Sequence, residues 1–297
     1  MILDATVITQ TLAAATPVLL VATGAVFGER VGVINIGLEG LMVFGALTAV
    51  VVSVATGSPF LALLAAAGAG VLGAAVFAAF AIWLKRDQVI VGTTINFLAF
   101  GLTGVWYRAY LNGFGAGKTA TELPDLIGQG AGGVDALTLL AFALVPAAHY
   151  LLFRTRLGLT IRATGEVPEA ASAAGTQVNR LRALVTLFVG GLCGLGGAAL
   201  SIGIANSFTE GITGGRGFVA LAVVVFGRWN PVGAMGAALL FAAADVLQFT
   251  LQARNVWAGL PYPVFLAVPY VLTLVALAVR GAKGKSPAAL GTAFEQG

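Results

Sequence analysis

Apolar residues in this chain come in long continuous runs divided by short polar or glycine-rich breaks. Nine such runs cover 6–27, 36–56, 59–84, 88–110, 135–153, 183–205, 217–228, 231–251 and 262–280. A helix needs about 20 apolar residues to cross the hydrocarbon of a bilayer. Eight runs approach or exceed that length, and 217–228 falls short of it. The runs are continuously apolar rather than alternating, which favours helices over a β-barrel. The pattern therefore predicts an all-α polytopic membrane bundle of about nine helices, forming one transmembrane domain over 1–280. The remainder, 281–297, is small and polar and is expected to be a disordered tail.

Two stretches depart from this pattern. Residues 27–46 read FGERVGVINIGLEGLMVFGA and place Glu29, Arg30, Asn35 and Glu39 at membrane depth, among five glycines. Residues 206–236 do the same in the second half, with Asn206, Glu210 and Arg216 followed by Phe218. Polar groups and loose backbone at membrane depth mark a cavity or a broken helix, so 28–36 and 209–217 are expected to be broken or re-entrant. Paired breaks in two halves of a transporter point to a solute site near the midplane. Asn35 and Glu39, four apart, share one helix face. Asn96 lies in the fourth run, and Asp245 and Gln248 share a face of the eighth. Asn35, Glu39, Asn96, Asn206, Glu210, Arg216, Phe218 and Asp245 are thus the candidate path residues. The competing reading makes each acid a structural hydrogen bond at a break, and each isolated amide, Asn96 and Asn206, a helix–helix bond.

Composition agrees with the membrane reading: 59% of residues are hydrophobic and 9% charged, against about 25% charged in soluble domains. The net charge of +4 is informative by location. If 154–182 faces the cytoplasm, Lys85, Arg86, Arg228, Arg280, Lys283 and Lys285 do as well, with Arg30 beside them. Arg108, Lys118, Arg216 and Arg254 are left outside or within the membrane. That asymmetry places the N-terminus outside and the C-terminus inside, with 111–134 as an external loop. Nucleic acid is excluded as a partner, because the arginines sit at membrane boundaries. Gly117-Lys118-Thr119 lacks the glycine at 112 that a phosphate loop requires, since Asn112 stands there. Cys193 reads as a packing residue and His149 as an interface residue, so no metal site is expected. The start of the chain lacks the basic segment and cleavage pattern of a signal peptide, and the first helix is expected to act as the insertion signal.

The loop 154–182 carries five arginines, Arg154, Arg156, Arg162, Arg180 and Arg182. Between them, Pro168 suits the first turn of a helix and Gly175 its end. This predicts a short, small-faced surface helix, either a solvated connector or a docking helix for a cytoplasmic partner.

Three segments, VGVINIGLEGLMVFGA at 31–46, RATGEVPEAASAAGTQV at 162–178 and TEGITGGRGFVALAVVVFGRWNPVGA at 209–234, resemble the signature segments of ABC transporter permeases of the branched-chain amino acid, ribose and nucleoside group. The resemblance spans about 10–280 and is greatest to nucleoside (simple-sugar) permease subunits that work with a Bmp-type binding lipoprotein. It implies a multi-pass subunit of a bacterial plasma (inner) membrane importer, paired with a second permease, homologous or identical. A cytoplasmic ABC ATPase would hold ATP and Mg, leaving no cofactor in this chain, and an external lipoprotein would deliver the small-molecule solute. It implies an ATPase contact at Arg162, Gly165, Glu166, Glu169, Ala170, Ala173 and Gly175. Relatives in the group often have an additional span before the segment matching 6–27, and this sequence lacks it. Nucleosides or other ribose-bearing solutes are the expected cargo, with a simple sugar as the alternative. A proton- or sodium-coupled transporter using Glu39 or Asp245 is a further alternative. An intramembrane enzyme finds no supporting constellation of residues.

Overall fold

The computed structural model describes residues 5–111, 120–127, 133–253 and 286–294. Helix α1 spans Ala5–Arg30, α2 Leu38–Thr56, α3 Pro59–Ala78 and α4 Gln88–Trp106. A short antiparallel ribbon follows, β1 Asp125–Ile127 against β2 Val134–Asp135, with Asp125 opposite Asp135. Helix α5 is Ala136–Arg154, α6 Arg156–Glu166, α7 Pro168–Ala173, α8 Val178–Ala198, α9 Arg216–Phe226 and α10 Pro231–Ala253. Wider π turns extend α3 over Ala79–Trp83, α4 over Tyr107–Leu111 and α8 over Ala199–Ile204.

Local chemistry sets the helix starts. The Ser58 hydroxyl accepts from the Leu61 amide ahead of Pro59, and the Asp87 carboxylate accepts from the Val89 and Ile90 amides. Asp135 and Thr155 cap α5 and α6 in the same way. Each satisfies an amide that the first turn leaves without a partner.

Among the described residues, seven helices are long and apolar enough to cross a membrane. They correspond to seven of the nine sequence runs. The run 217–228 is the short helix α9, and 262–280 lies outside the described residues. The first break is narrower than expected: α1 continues through Glu29 and Arg30, and only 31–37 leaves the helix. Both charged side chains have partners at the end of α9, which lets the helix continue past them.

Helix α8 is the hub, packed on α1, α2 and α3. Small residues make this possible. A Cβ on Gly194 would overlap the Ala66 carbonyl of α3, and one on Gly70 would overlap the Gly190 carbonyl. On the other side, a Cβ on Gly197 would overlap the Met42 carbonyl of α2. Backbone therefore touches backbone across these interfaces, as in small-residue packing of membrane helices. The outer faces of α3 and α4 expose Phe60, Leu64, Leu72, Phe97 and Val105, as lipid-facing surfaces do.

The two ends of the bundle differ in charge. One gathers 29–36, 84–88, 154–182, 227–231 and 286–294, joined by Arg30 Nε to the Trp229 carbonyl (2.8 Å), the Ile34 amide to Gln88 (2.8 Å) and the Ala289 amide to the Gly165 carbonyl (2.9 Å). The basic residues Arg30, Lys85, Arg86, Arg154, Arg156, Arg162, Arg180, Arg182 and Arg228 belong to this end. The other end joins 53, 107–111, 120–122 and 203–215, through Ser53 to Thr121 and Asn206 to Ala120. Residues 286–294, expected to be disordered, are folded against the arginine-rich end with Ala289 and Phe294 buried.

Substituting Gly194→Leu should push α3 and α8 apart. Overpacking of this kind costs about 1–3 kcal/mol or more, and the expected outcome is a lower thermal midpoint in detergent and less monodisperse protein. Gly68→Leu, at a position open to its surroundings, should leave both unchanged.

Candidate functional site

The break between α1 and α2 is held by side chains. The Gly37 amide donates to Asn35 Oδ1 (2.8 Å), a local turn that Asn favours. The Gly40 amide donates to Asn96 Oδ1 (2.7 Å), and Asn96 Nδ2 donates to the Ile36 carbonyl (3.0 Å). With Gln88 bonded to Ile34, helix α4 thus supplies partners within the gap and at the start of α2. These are groups that an unwound segment would otherwise leave unsatisfied at membrane depth.

Glu39 joins the first break to the second. Its Oε1 accepts from the Thr213 hydroxyl (2.6 Å) and the Gly215 amide (2.8 Å), and its Oε2 accepts from the Gly217 amide (2.6 Å). The side chain is 2% exposed. Gly215 and Gly217 lie at the first turn of α9, where amides point outward and the helix dipole favours negative charge. A Cβ on Gly217 would lie 2.5 Å from the Glu39 amide nitrogen, so only glycine admits this approach. With 11 residues, α9 is about 16 Å long, roughly half the hydrocarbon thickness. It ends at the arginine-rich end, so its capped N-terminus sits near mid-depth.

The other sequence-predicted residues divide into groups. Arg216 and Asp245 line one cavity of about 420 Å³ with Gln10, Ile204, Phe249 and Thr250. That volume falls within the range of small-molecule sites, about 300–1,000 Å³. The cavity beside Asn35 and Glu29 holds about 10 Å³, far too little for an organic solute. Phe218 projects from α9 with its side chain 44% exposed. Asn206 and Glu210 lie in the loop toward the opposite end. Asn206 Nδ2 donates to Glu122 Oε1 (2.6 Å). Arg108 meets Glu210 with two bonds, at 2.8 and 3.1 Å, and these hold the exposed Glu210 carboxyl below its ordinary value. The eight residues therefore do not form one cluster: Asn35, Glu39 and Asn96 hold the break, and Arg216 with Asp245 face a cavity.

Sequence reasoning missed Thr213, Gly215, Gly217 and Gln88 as partners, and also Trp229. Trp229 donates its indole N–H to Glu29 and its carbonyl accepts from Arg30 Nε. The spacing Gly215-Arg216-Gly217 ahead of an apolar run was a usable signal for an open helix start facing an acid. Gln88 gave no such signal.

At the arginine-rich end, α7 exposes Glu169, Ala170 and Ala173, with Glu166 before it and Gly175 after it also exposed. Gly175 ends the helix with φ +90°, the left-handed conformation that suits glycine. Gly165 and Arg162 point elsewhere: Gly165 is buried against the Arg30 carbonyl, and the Arg162 guanidinium lies 5.2 Å from the centre of the Phe153 ring.

Residues 7–277 match the family described as branched-chain amino acid transport system / permease component. The chain belongs to this permease family. It is 36% identical to the guanosine ABC transporter permease protein NupQ of Bacillus subtilis, over 98% of this chain and 97% of that one. It is 37% identical to a putative glucose ABC transporter permease protein, TsgC13, of Haloferax volcanii, over 82% and 77%. It is 32% identical to the nucleoside ABC transporter permease protein NupC of Lactococcus lactis, over 94% and 93%. This permease is therefore a multi-pass plasma-membrane transport subunit and not an enzyme, and its family works with an ATPase and a substrate-binding partner. Membership removes the ion-coupled alternative.

Glu39→Ala should leave three donors at the start of α9 without their partner. The expected loss is at least about 2 kcal/mol of stability, read as a lower thermal midpoint in detergent, with Glu39→Gln intermediate because its amide cannot accept from both sides. The depressed Glu210 carboxyl adds stability above the ordinary glutamate value of about 4.3 that is lost as pH falls through its lowered value. Hydrogen exchange in 205–215 should accelerate in that acid range, and Arg108→Gln should abolish the pH dependence.

Proposed function

We propose that this permease forms the membrane path of an ATP-driven importer for nucleosides or related ribose-bearing solutes. The observation that carries the substrate class is the end-to-end likeness to permeases named for guanosine and nucleosides. The cavity at Arg216 and Asp245 has suitable chemistry: a carboxylate, a guanidinium and the Gln10 amide can bond ribose hydroxyls and base edges, and Phe249 offers a face for the base. Phe218, exposed elsewhere on α9, offers a second aromatic face on the path, and Asn206 and Glu210 belong to the external mouth. Glu39, Asn35 and Asn96 act as positioning residues for the two half-helices and do not touch the solute. A simple sugar is the second reading, favoured by the likeness to a putative glucose permease.

In this reading the arginine-rich end is cytoplasmic, the N-terminus is outside, and 111–134 faces the external binding lipoprotein. A second permease, homologous or identical, completes the path. The ATPase, which holds ATP and Mg, docks on Glu166, Glu169, Ala170, Ala173 and Gly175, whose exposed small residues let another protein's groove approach closely. Gly165 and Arg162 support this surface from behind.

Reconstitution with the ATPase, the second permease and the binding protein should give ATP-dependent uptake of radiolabelled nucleoside. Uptake of glucose or ribose with none of nucleoside would decide for the second reading. Ala173→Trp should leave membrane insertion intact and reduce capture of the ATPase at least about tenfold, in keeping with the loss of an interface hot spot; undiminished capture and transport would remove α7 as the docking surface.

A further inference from the structure

Residues 286–294 touch three separate parts of the arginine-rich end. The Ala289 amide donates to the Gly165 carbonyl (2.9 Å) and the Ala288 amide to Glu166 Oε2 (3.3 Å), both at the end of α6. The Gly291 amide donates to the Gly32 carbonyl (3.1 Å), inside the break between α1 and α2. The Thr292 carbonyl accepts from Arg182 Nη1 (2.8 Å), on α8. Arg182 is 2% exposed, and its Nε donates to the Val31 carbonyl (3.2 Å). One guanidinium therefore holds both the tail segment and the break. Phe294 completes the arrangement, buried with Ala171 of α7 and Val178 of α8 in a small apolar cluster of its own.

The placement of Phe294 is what gives the segment a role. Ala171 is on the covered side of α7, while Glu169, Ala170 and Ala173 face outward. The tail segment thus backs the helix whose other side is free for a partner. Among the described residues, Phe294 is the aromatic contact between that covered side and the rest of the chain.

We infer that residues 286–294 form a coupling strap, which carries displacement of α7 to the α1–α2 break at Gly32 and to α8 at Arg182. The inference rests on α7 being the ATPase-docking helix. A load applied to the outer face of α7 presses Ala171 against Phe294. The strap then passes it through two backbone bonds, at Gly165 and Gly32, and through Arg182. From Gly32 the break leads within a few residues to Glu39, and so to the start of α9. Phe294 and Arg182 are positioning residues in this scheme, because neither touches solute or nucleotide.

The test uses the assembled transporter with Phe294→Ser, and Phe294→Leu as the conservative control. In the serine variant the ATPase should still co-purify and still hydrolyse ATP. Solute delivered per ATP should fall about tenfold, within the usual range of coupling between sites, and the leucine variant should restore it. Delivery per ATP at the unsubstituted level overturns the strap. Loss of the ATPase from the purified complex also overturns it, since 286–294 would then be a docking surface. Hydrogen exchange of 168–178 in the permease alone gives a reading independent of the ATPase. It should accelerate in Phe294→Ser, and unchanged exchange overturns the inference. An unsubstituted transporter with no ATP-driven uptake would instead sink the reading beneath it, and the exchange measurement keeps the two failures apart.

Discussion

The carboxyl group of Glu39 meets the most demanding condition in this structure. A polar side chain near the middle of a bilayer is costly unless its hydrogen bonds are made within the protein. So is a helix that begins there, because its first amides have no partner in the helix itself. Each defect relieves the other: α9 offers free amides and the positive end of its dipole, and α2 offers an acceptor with two oxygens. The cost of interrupting a membrane helix is offset in both halves of the chain by one contact. The same economy holds at α4, where Asn96 and Gln88 serve the amides and carbonyls that 31–37 exposes. The polar residues that made these stretches conspicuous are largely the means by which interrupted helices remain stable in lipid.

This division of labour leaves a smaller set of groups for the solute. Arg216 and Asp245 belong to a cavity large enough for a small molecule, while the space beside Asn35 could not admit one. Arg216 opens α9 between Gly215 and Gly217, the two residues whose amides donate to Glu39. The structural clamp and the candidate solute contact thus share one helical turn, so a change in the clamp must reorient a residue facing the cavity. At the arginine-rich end the connection is longer and runs through α6, α7 and the tail segment to the same break.

The bundle itself was legible in the sequence, because apolar runs of membrane length need no knowledge of neighbours. The surface helix at 168–173 was legible from Pro168 and Gly175, which act locally. The two breaks were located by their glycines and charges. Their partners were not, since Glu39 and Gly217 lie far apart in the chain and only the folded bundle brings an acid to a helix start. The reading of 6–27 as helix stopped three residues short, because Glu29 and Arg30 look like a terminus unless Trp229 is known to receive them. The disorder expected of 286–294 was a misjudgement for a related reason. Its bonds are mostly from backbone, which composition does not encode, and its one aromatic, Phe294, was a weak signal among small and polar residues. Arg182 read as a topological charge, yet it is buried and bonded on two sides.

The glycine contacts along α8 carry a mechanical consequence. With backbone against backbone at Gly70, Gly190 and Gly194, no side chain is available to deform and take up a shift. Sliding α3 along α8 by a fraction of a turn would drive carbonyl into carbonyl. The block of α2, α3 and α8 is therefore stiff, and a transport cycle must find its moving parts elsewhere: in the short α9, in the segments that flank it, and in the small helices at the arginine-rich end. The interior behaves as a chassis, and the absence of side chains at those glycine contacts is what keeps it from flexing.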